Sequence, residues 1–570
     1  MMFHTTVFIL GFLPICLLGF FTIGRFYAPS WALCWLVTAS LFFYAWWNPE
    51  HLPLLTGSVL VNHTIAWKLR HSRTPRTWLT AGVALNLAVL GWFKYADFLL
   101  HVVAPGARPL DITLPLAISF FTFQQIMFLG DTAHATRHGR AEYGPPAKAR
   151  CWIRWPGPRR AMTIAERALL AERALPRAAR ILTPMNRVRA IRARSDWGRM
   201  AGTRPAMTVR KHSCFRSSHH REANAALPPL LPYAAFVTFF PHLIAGPIVR
   251  PSEIIPQLTD PDLARPRIGN LADGLLIFLL GLGKKRVLAD MFGGFADIGF
   301  NAAAHGTTLT LFEAWYATLS YALQIYFDFS GYSDMAIGLA RMLNIRFPLN
   351  FDSPYQATDI SAFWRRWHIT LGSFLRDHLY IPLGGNRVGP LRQTANLMAT
   401  MLLAGLWHGA AWNFVIWGGL HGVFLVIHTQ YRRLFRPLPD ALAHALTLFA
   451  VILAWVPFRA ASLDSTLAIL RGMAGLNGIA LPRMIVTAMP VLATFAEPVA
   501  VMPSLGDART LSFPEVSACL LLGWLIVLTL PNVHRMTERA RHWTLTASFA
   551  LSVQALFFAP HVAPFLYFQF

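Results

Sequence analysis

Long apolar runs, separated by short basic loops, constrain this chain more than any other feature. They begin near Thr6, Trp31, Leu52, Leu79 and Leu110, and later near Leu230, Leu271, Leu311, Leu397, Ala441, Met484, Ser517 and Leu545. Several approach the roughly 20 residues that a helix needs to cross a bilayer. Others are shorter, or interrupted by Gly, Pro or charge, and suit re-entrant segments. Hydrocarbon leaves no water to satisfy backbone N–H and C=O groups, so such runs fold as helices. Only 14% of the 570 residues are charged, against about a quarter in soluble domains. The expected class is an all-α polytopic membrane protein with about 10–13 membrane or re-entrant helices. The first run lacks a basic leader and a small-x-small cleavage site, so it is expected to stay as a membrane helix.

The net charge of +24 is unevenly placed. Residues 137–226 hold 21 Lys/Arg and 5 Asp/Glu, leaving about +8 for the other 480 residues. This segment is rich in Arg, Ala and Pro and has no sustained apolar stripe, which predicts a disordered cytoplasmic insertion. No nucleic-acid-binding fold motif accompanies its charge, so nucleic acid is not an expected partner. Elsewhere, Arg25, the Lys68–Arg76 group, Lys284-Lys-Arg286, Arg432-Arg433 and Arg535–Arg541 are candidate cytoplasmic clusters. Their alternation places the N-terminus in the periplasm. The five cysteines, at 16, 34, 151, 214 and 519, form no C-x-x-C pair. Neither a disulfide framework nor a metal site is expected.

Two Trp-His dipeptides stand out against this background. One closes Ser361-Ala-Phe-Trp-Arg-Arg-Trp-His368. The other lies in Leu403-Ala-Gly-Leu-Trp-His408-Gly-Ala-Ala-Trp-Asn-Phe-Val-Ile-Trp-Gly-Gly-Leu-His421-Gly. An imidazole in a bilayer core is costly, and so marks a candidate functional site. It is also the side chain best suited to accept a hydroxyl proton near neutral pH. His408 sits in the more apolar, Gly-rich run and is the better candidate for a base. On one straight helix, His421 would lie roughly 220° around from it. Gly405, Gly409, Gly418 and Gly419 permit close backbone approach or a break there. Trp407 and Asn413 are further lining candidates.

Arg365 and His368 are three residues apart and would share a helix face, with Arg366 alongside. Guanidinium beside imidazole suits an anionic substrate. Equally, this is an interfacial helix with Trp at headgroup level and Arg snorkelling. Asp328 and Asp334 lie in Tyr321–Asp334, amid Tyr326, Ser330 and Tyr332. They either line a polar cavity or are paired structurally with an arginine elsewhere.

The chain has no phosphate-binding loop, no G-x-S-x-G elbow and no H-E-x-x-H motif. A membrane imidazole without a separate nucleophile fits direct acyl transfer to a hydroxyl. A partly dry aromatic tunnel would protect a thioester donor from hydrolysis. Two other readings stay open: a transporter or acyl conduit without catalysis, and an inactive scaffold of a polysaccharide machine.

These stretches resemble the membrane-bound O-acyltransferase (MBOAT) family. The nearest branch is that of bacterial alginate O-acetyltransferase membrane subunits, related to teichoic acid D-alanyl transfer proteins. The matching blocks are 40–47, 114–125, 239–248, 325–338, 349–385, 403–422, 455–460 and 565–570. The resemblance implies an all-helical membrane fold with a central tunnel, and a catalytic core at about 311–430. It places the family's essential histidine at His408 and its second characteristic histidine at His368. No tightly bound cofactor is implied; acetyl-CoA is the implied donor substrate. The implied acceptor is an exported polysaccharide, or a periplasmic transferase acting as partner. The implied setting is the bacterial inner membrane. The membrane domain is thus expected in two parts, 1–136 and 227–570, around the insertion 137–226, which has no counterpart in the family. Ala117 stands where glycine is common, and Ser373-Phe where a polar residue and Trp are common.

Overall fold

In the computed structural model, the described residues are 2–47, 49–138, 227–494, 496–499 and 513–536, with isolated positions 546, 547, 549, 550, 552 and 566. The basic insertion therefore lies outside the described residues, apart from its first two positions. So does the C-terminal block 565–570, apart from Leu566.

The described chain is a set of helices whose boundaries follow local chemistry. In the N-terminal part these are α1 (Val7–Phe26), α2 (Pro29–Ala45), α3 (Leu52–His71), α4 (Pro75–Val103) and α5 (Ile118–His138). Proline at the first or second position opens α2, α3 and α4, where its missing N–H costs nothing. Lys68 and Arg70 close α3, matching the negative end of its dipole. After the insertion come α6 (Leu230–Thr238), α7 (Ile268–Gly283), α8 (Asp290–Ala304) and α9 (Leu311–Met342). The C-terminal part adds α10 (Ile360–Trp364), α11 (Ile369–Leu375), α12 (Pro390–His408), α13 (Trp412–Leu434), α14 (Asp440–Arg459), α15 (Leu463–Met473) and α16 (Phe513–Thr529). One parallel strand pair, Ala480–Pro482 with Glu497–Val499, interrupts the otherwise helical described chain.

Among the described residues, four spans are long and apolar enough to cross a membrane: Val7–Phe26, Pro75–Val103, Asp440–Arg459 and Pro514–Arg535. Helices α3, α5, α9, α12 and α13 are also long, but carry polar residues into the interior. Nearly all of α9 is buried, and α7, α8, α14, α15 and α16 pack around it. A capping box at its start joins Thr310 and Glu313. Along the α7–α9 seam the backbones nearly touch. A Cβ on Gly274 would lie 2.6 Å from the Gly338 carbonyl, and one on Gly331 would lie 2.7 Å from the Gly281 carbonyl. Small residues at such spacing let helices pack closely where lipid supplies no hydrophobic drive.

Lys284-Lys-Arg286 is not a surface loop. It forms a π-helical turn, Lys284–Ala289, that joins α7 to α8, with Lys285 and Arg286 buried. Carboxylates hold it there: Lys284 pairs with Asp334 at 2.7 Å, while Lys285 pairs with Asp328 at 2.6 Å and Asp290 at 2.8 Å.

Candidate active site

The site is built on the hairpin of α12 and α13. The long apolar run Leu397–Ile427 is two antiparallel helices, not one. Gly409 takes an extended conformation directly after His408, and Ala411 opens α13. A Cβ on Gly405 would lie 3.1 Å from Gly418, so the two helices touch through glycine backbone. This geometry makes His408 the last residue of α12 and places it against α13. Its ring lies 4.9 Å from Trp407, 5.0 Å from Trp417 and 5.2 Å from Phe458, between centroids. Only 6% of His408 is exposed. Asn413 pins the start of α13 by donating from Nδ2 to the Ala460 carbonyl at 2.7 Å.

His368 comes from a different part of the chain. Helix α10 ends at Trp364, and His368 sits in the left-handed region at φ 43°, ahead of α11. A non-glycine residue in that region is held there by its surroundings. The surroundings are the segment after α9. The Asn350 carbonyl accepts the Ile369 N–H at 2.9 Å, and Asp352 donates its N–H to the Arg366 carbonyl at 2.9 Å. Asn350 Oδ1 accepts from His368 Nδ1 at 3.0 Å and from the Thr370 hydroxyl at 2.9 Å. The His368 ring is fully buried, edge-on to Phe329 at 4.7 Å and 6.4 Å from Trp407. The Trp407 indole therefore touches both imidazoles.

His421 is a third buried imidazole, on the same side of α13 as Trp417. Aromatic rings surround it: Trp364 and Trp417 at 5.0 Å, Phe424 at 5.8 Å and Phe363 at 6.1 Å. Neither ring nitrogen has a hydrogen-bond partner among the described residues. His408 lies within electrostatic reach of His368, His421 and Lys94.

Lys94 escaped the sequence reading. It reaches from α4 to the end of α12, where its Nζ donates to the Trp407 carbonyl at 2.5 Å and the His408 carbonyl at 3.2 Å. Next to it, the Tyr95 hydroxyl donates to the Leu406 carbonyl at 2.9 Å. The terminal carbonyls of a helix have no partners within it, and a cation is favourable at that end. The signal was present, since a lone lysine in an apolar run is as costly as a histidine.

Lys94, Trp407 and His408 line a cavity of about 190 Å³, with Trp47, Ala117 and Ser119 on its other walls. A larger cavity of about 600 Å³ lies at the far end of α13, lined by Phe424, His428 and Arg432 of that helix and by Asp359. Trp417 and Arg432 are 15 positions apart, about 22 Å along a helix axis.

The other expected residues fall elsewhere. Arg365 does not share a face with His368, because the helix ends between them. Its guanidinium is largely exposed and bonds the Ser361 hydroxyl at 2.6 Å. Arg366 faces the Ser353 carbonyl at 3.5 Å. Asp328 is paired with Lys285, not with an arginine, and also accepts the Leu566 N–H at 3.0 Å.

Known proteins resemble this chain over much of its length. The chain is 39% identical to a "Peptidoglycan O-acetyltransferase" of Helicobacter pylori, covering 100% of this chain and 98% of that protein. It is 33% identical to a "Probable alginate O-acetylase AlgI" of Azotobacter vinelandii, covering 81% of this chain and 76% of the other. A "Teichoic acid D-alanyltransferase" of Streptococcus thermophilus is 30% identical over 35% of this chain and 50% of its own length. Residues 106–459, which include all three buried histidines of the site, match the sequence profile of the family. The chain is a multi-pass membrane acyltransferase and belongs to the MBOAT, or membrane-bound O-acyltransferase, family.

Proposed function

We propose that the protein transfers acetyl groups from cytoplasmic acetyl-CoA to a hydroxyl of an exported polysaccharide, directly or through a periplasmic partner. Its setting is the bacterial inner membrane. The observation that carries this reading is the placement of His408. Its imidazole is nearly buried among aromatic rings, yet it lines a cavity in which a hydroxyl and an acyl group can meet.

The chemistry is direct transfer. The acceptor oxygen bonds to the thioester carbonyl carbon as His408 takes the hydroxyl proton. Collapse of the tetrahedral intermediate breaks the C–S bond, and the departing thiolate recovers that proton from His408. Surrounding rings exclude water, which would otherwise hydrolyse the thioester. Trp407 and Trp417 hold the His408 ring, while His368, fixed by Asn350 and packed near Trp407, has a positioning role.

Two cavities support a two-sided route. The larger one is bounded by Arg432, in a basic stretch suited to the cytoplasmic face. It suits the donor, and the smaller one beside His408 suits the acceptor. The name of the Helicobacter pylori relative favours peptidoglycan as the polymer. The test is mass spectrometry of wall glycan and secreted polysaccharide from cells with and without this chain. Loss of O-acetyl groups from the glycan strands is expected. Unchanged acetylation of every exported polymer overturns the reading.

A further inference from the structure

Lys94 stands within a 29-residue apolar span, where a charge persists only if it is satisfied or used. Among the described residues, no carboxylate pairs with it. An ammonium carries three protons. Two go to the carbonyls of Trp407 and His408, which fix Nζ in place. Among the described residues, the third has only the Ser119 hydroxyl, at 3.5 Å, the outer limit for a hydrogen bond. Lys94, Ser119 and His408 all line the same small cavity. The loosely held proton therefore faces a cavity that it shares with His408, into which the donor's acyl end would reach for attack by the acceptor hydroxyl.

We propose that Lys94 is a catalytic residue whose third N–H bonds the oxyanion of the tetrahedral intermediate. This rests on the reading of His408 as the base. As the acceptor oxygen bonds to the carbonyl carbon, the C=O π pair moves onto the carbonyl oxygen, and the Lys94 N–H stabilises the charge formed there. When that pair returns, the C–S bond breaks and the thiolate leaves with the proton from His408. Lys94 keeps its own proton throughout. A fixed charge in a water-poor site is the arrangement that stabilises developing charge most strongly. The two carbonyls bound to Nζ serve as its mounting, so helix capping and oxyanion stabilisation use different protons of one ammonium.

Tyr95 separates the two roles, because it caps the same helix end without charge. Membrane vesicles from cells making the full chain, with any partner present, are supplied with labelled acetyl-CoA, and transfer to polymer is followed against donor concentration. Lys94→Met is expected to lower the maximal rate about 100-fold or more, with the KM for acetyl-CoA within about threefold. Lys94→Arg, which keeps the charge, is expected to retain more activity than Lys94→Met. Tyr95→Phe, losing one neutral hydrogen bond, is expected to stay within about tenfold of the parent. Lys94→Gln repeats the test with a polar, uncharged side chain if the Met variant does not fold. Equal losses in the Lys94 variants and Tyr95→Phe, with His408→Ala inactive, overturn the Lys94 role alone. Full activity in His408→Ala overturns the base assignment and this proposal together.

Discussion

Asn350 and His368 meet through a 3.0 Å hydrogen bond between Oδ1 and Nδ1. The Thr370 N–H, which can only donate, approaches the same Oδ1 at 3.3 Å. That atom is therefore the amide oxygen, so Nδ1 of His368 carries the proton. Its Nε2 keeps a lone pair, buried and without a hydrogen-bond partner among the described residues. Asn350→Ala is expected to release the ring and lower acetyl transfer roughly tenfold, the cost of one orienting bond of about 1.4 kcal/mol. Transfer rate per folded protein measures it. Parent activity would show that ring orientation is set by other contacts.

Ala117 lines the small cavity and has φ 63°. An L side chain in the left-handed region costs roughly 1–2 kcal/mol, and glycine avoids this. Ala117→Gly is expected to raise the Tm of the purified protein, with a gain of about 1 kcal/mol after glycine's added chain entropy. A lowered Tm in thermal unfolding would contradict the account of this turn.

Lys285 and Asp328 form a buried ion pair, both side chains 2% exposed. Asp328→Ala is expected to destabilise by about 3–5 kcal/mol, because it strips a partner from a buried charge. Lys285 also contacts Asp290, which moves the expected loss toward the lower end. The double variant Lys285→Met with Asp328→Leu is expected to recover much of it. Denaturation of detergent-solubilised protein decides the order of the three.

Helix α5, which ends at His138, packs against α6, which begins at Leu230. The two sides of the insertion thus meet within the described fold. Replacing residues 139–226 with a flexible linker of about ten Gly and Ser residues is expected to leave folding and transfer within about twofold. A large gain in activity would show that the insertion damages the enzyme, and a loss would give it a function.

Much of this architecture was legible because membrane chemistry is strict. Apolar runs had to be helices, and imidazoles inside them had to be excused by function. His408 and His368 were singled out by that argument, and the structure places both beside the Trp407 indole. Periodicity misled where the helix stopped. Arg365 and His368 share a face only if α10 continues, and it ends at Trp364. Between His408 and His421 the sequence left a single helix and a glycine break both open, and Gly409 makes the break that separates α12 from α13. Asn350 was hidden because its bond to His368 spans 18 residues with no helical period linking them. Lys94 stood out as a lone lysine in an apolar run, but its partners were hidden, being main-chain carbonyls more than 300 positions away that no side-chain pattern records. The ion pairs of Lys284 and Lys285 were not legible because their carboxylate partners, apart from Asp290, lie on α9.

The most direct test is the O-acetyl content of wall glycan strands in cells carrying His408→Ala at matched protein level. The account predicts that acetylation falls to the level of cells lacking the protein, since general-base catalysis is worth about 100-fold or more. Acetylation equal to that of the parent would contradict it.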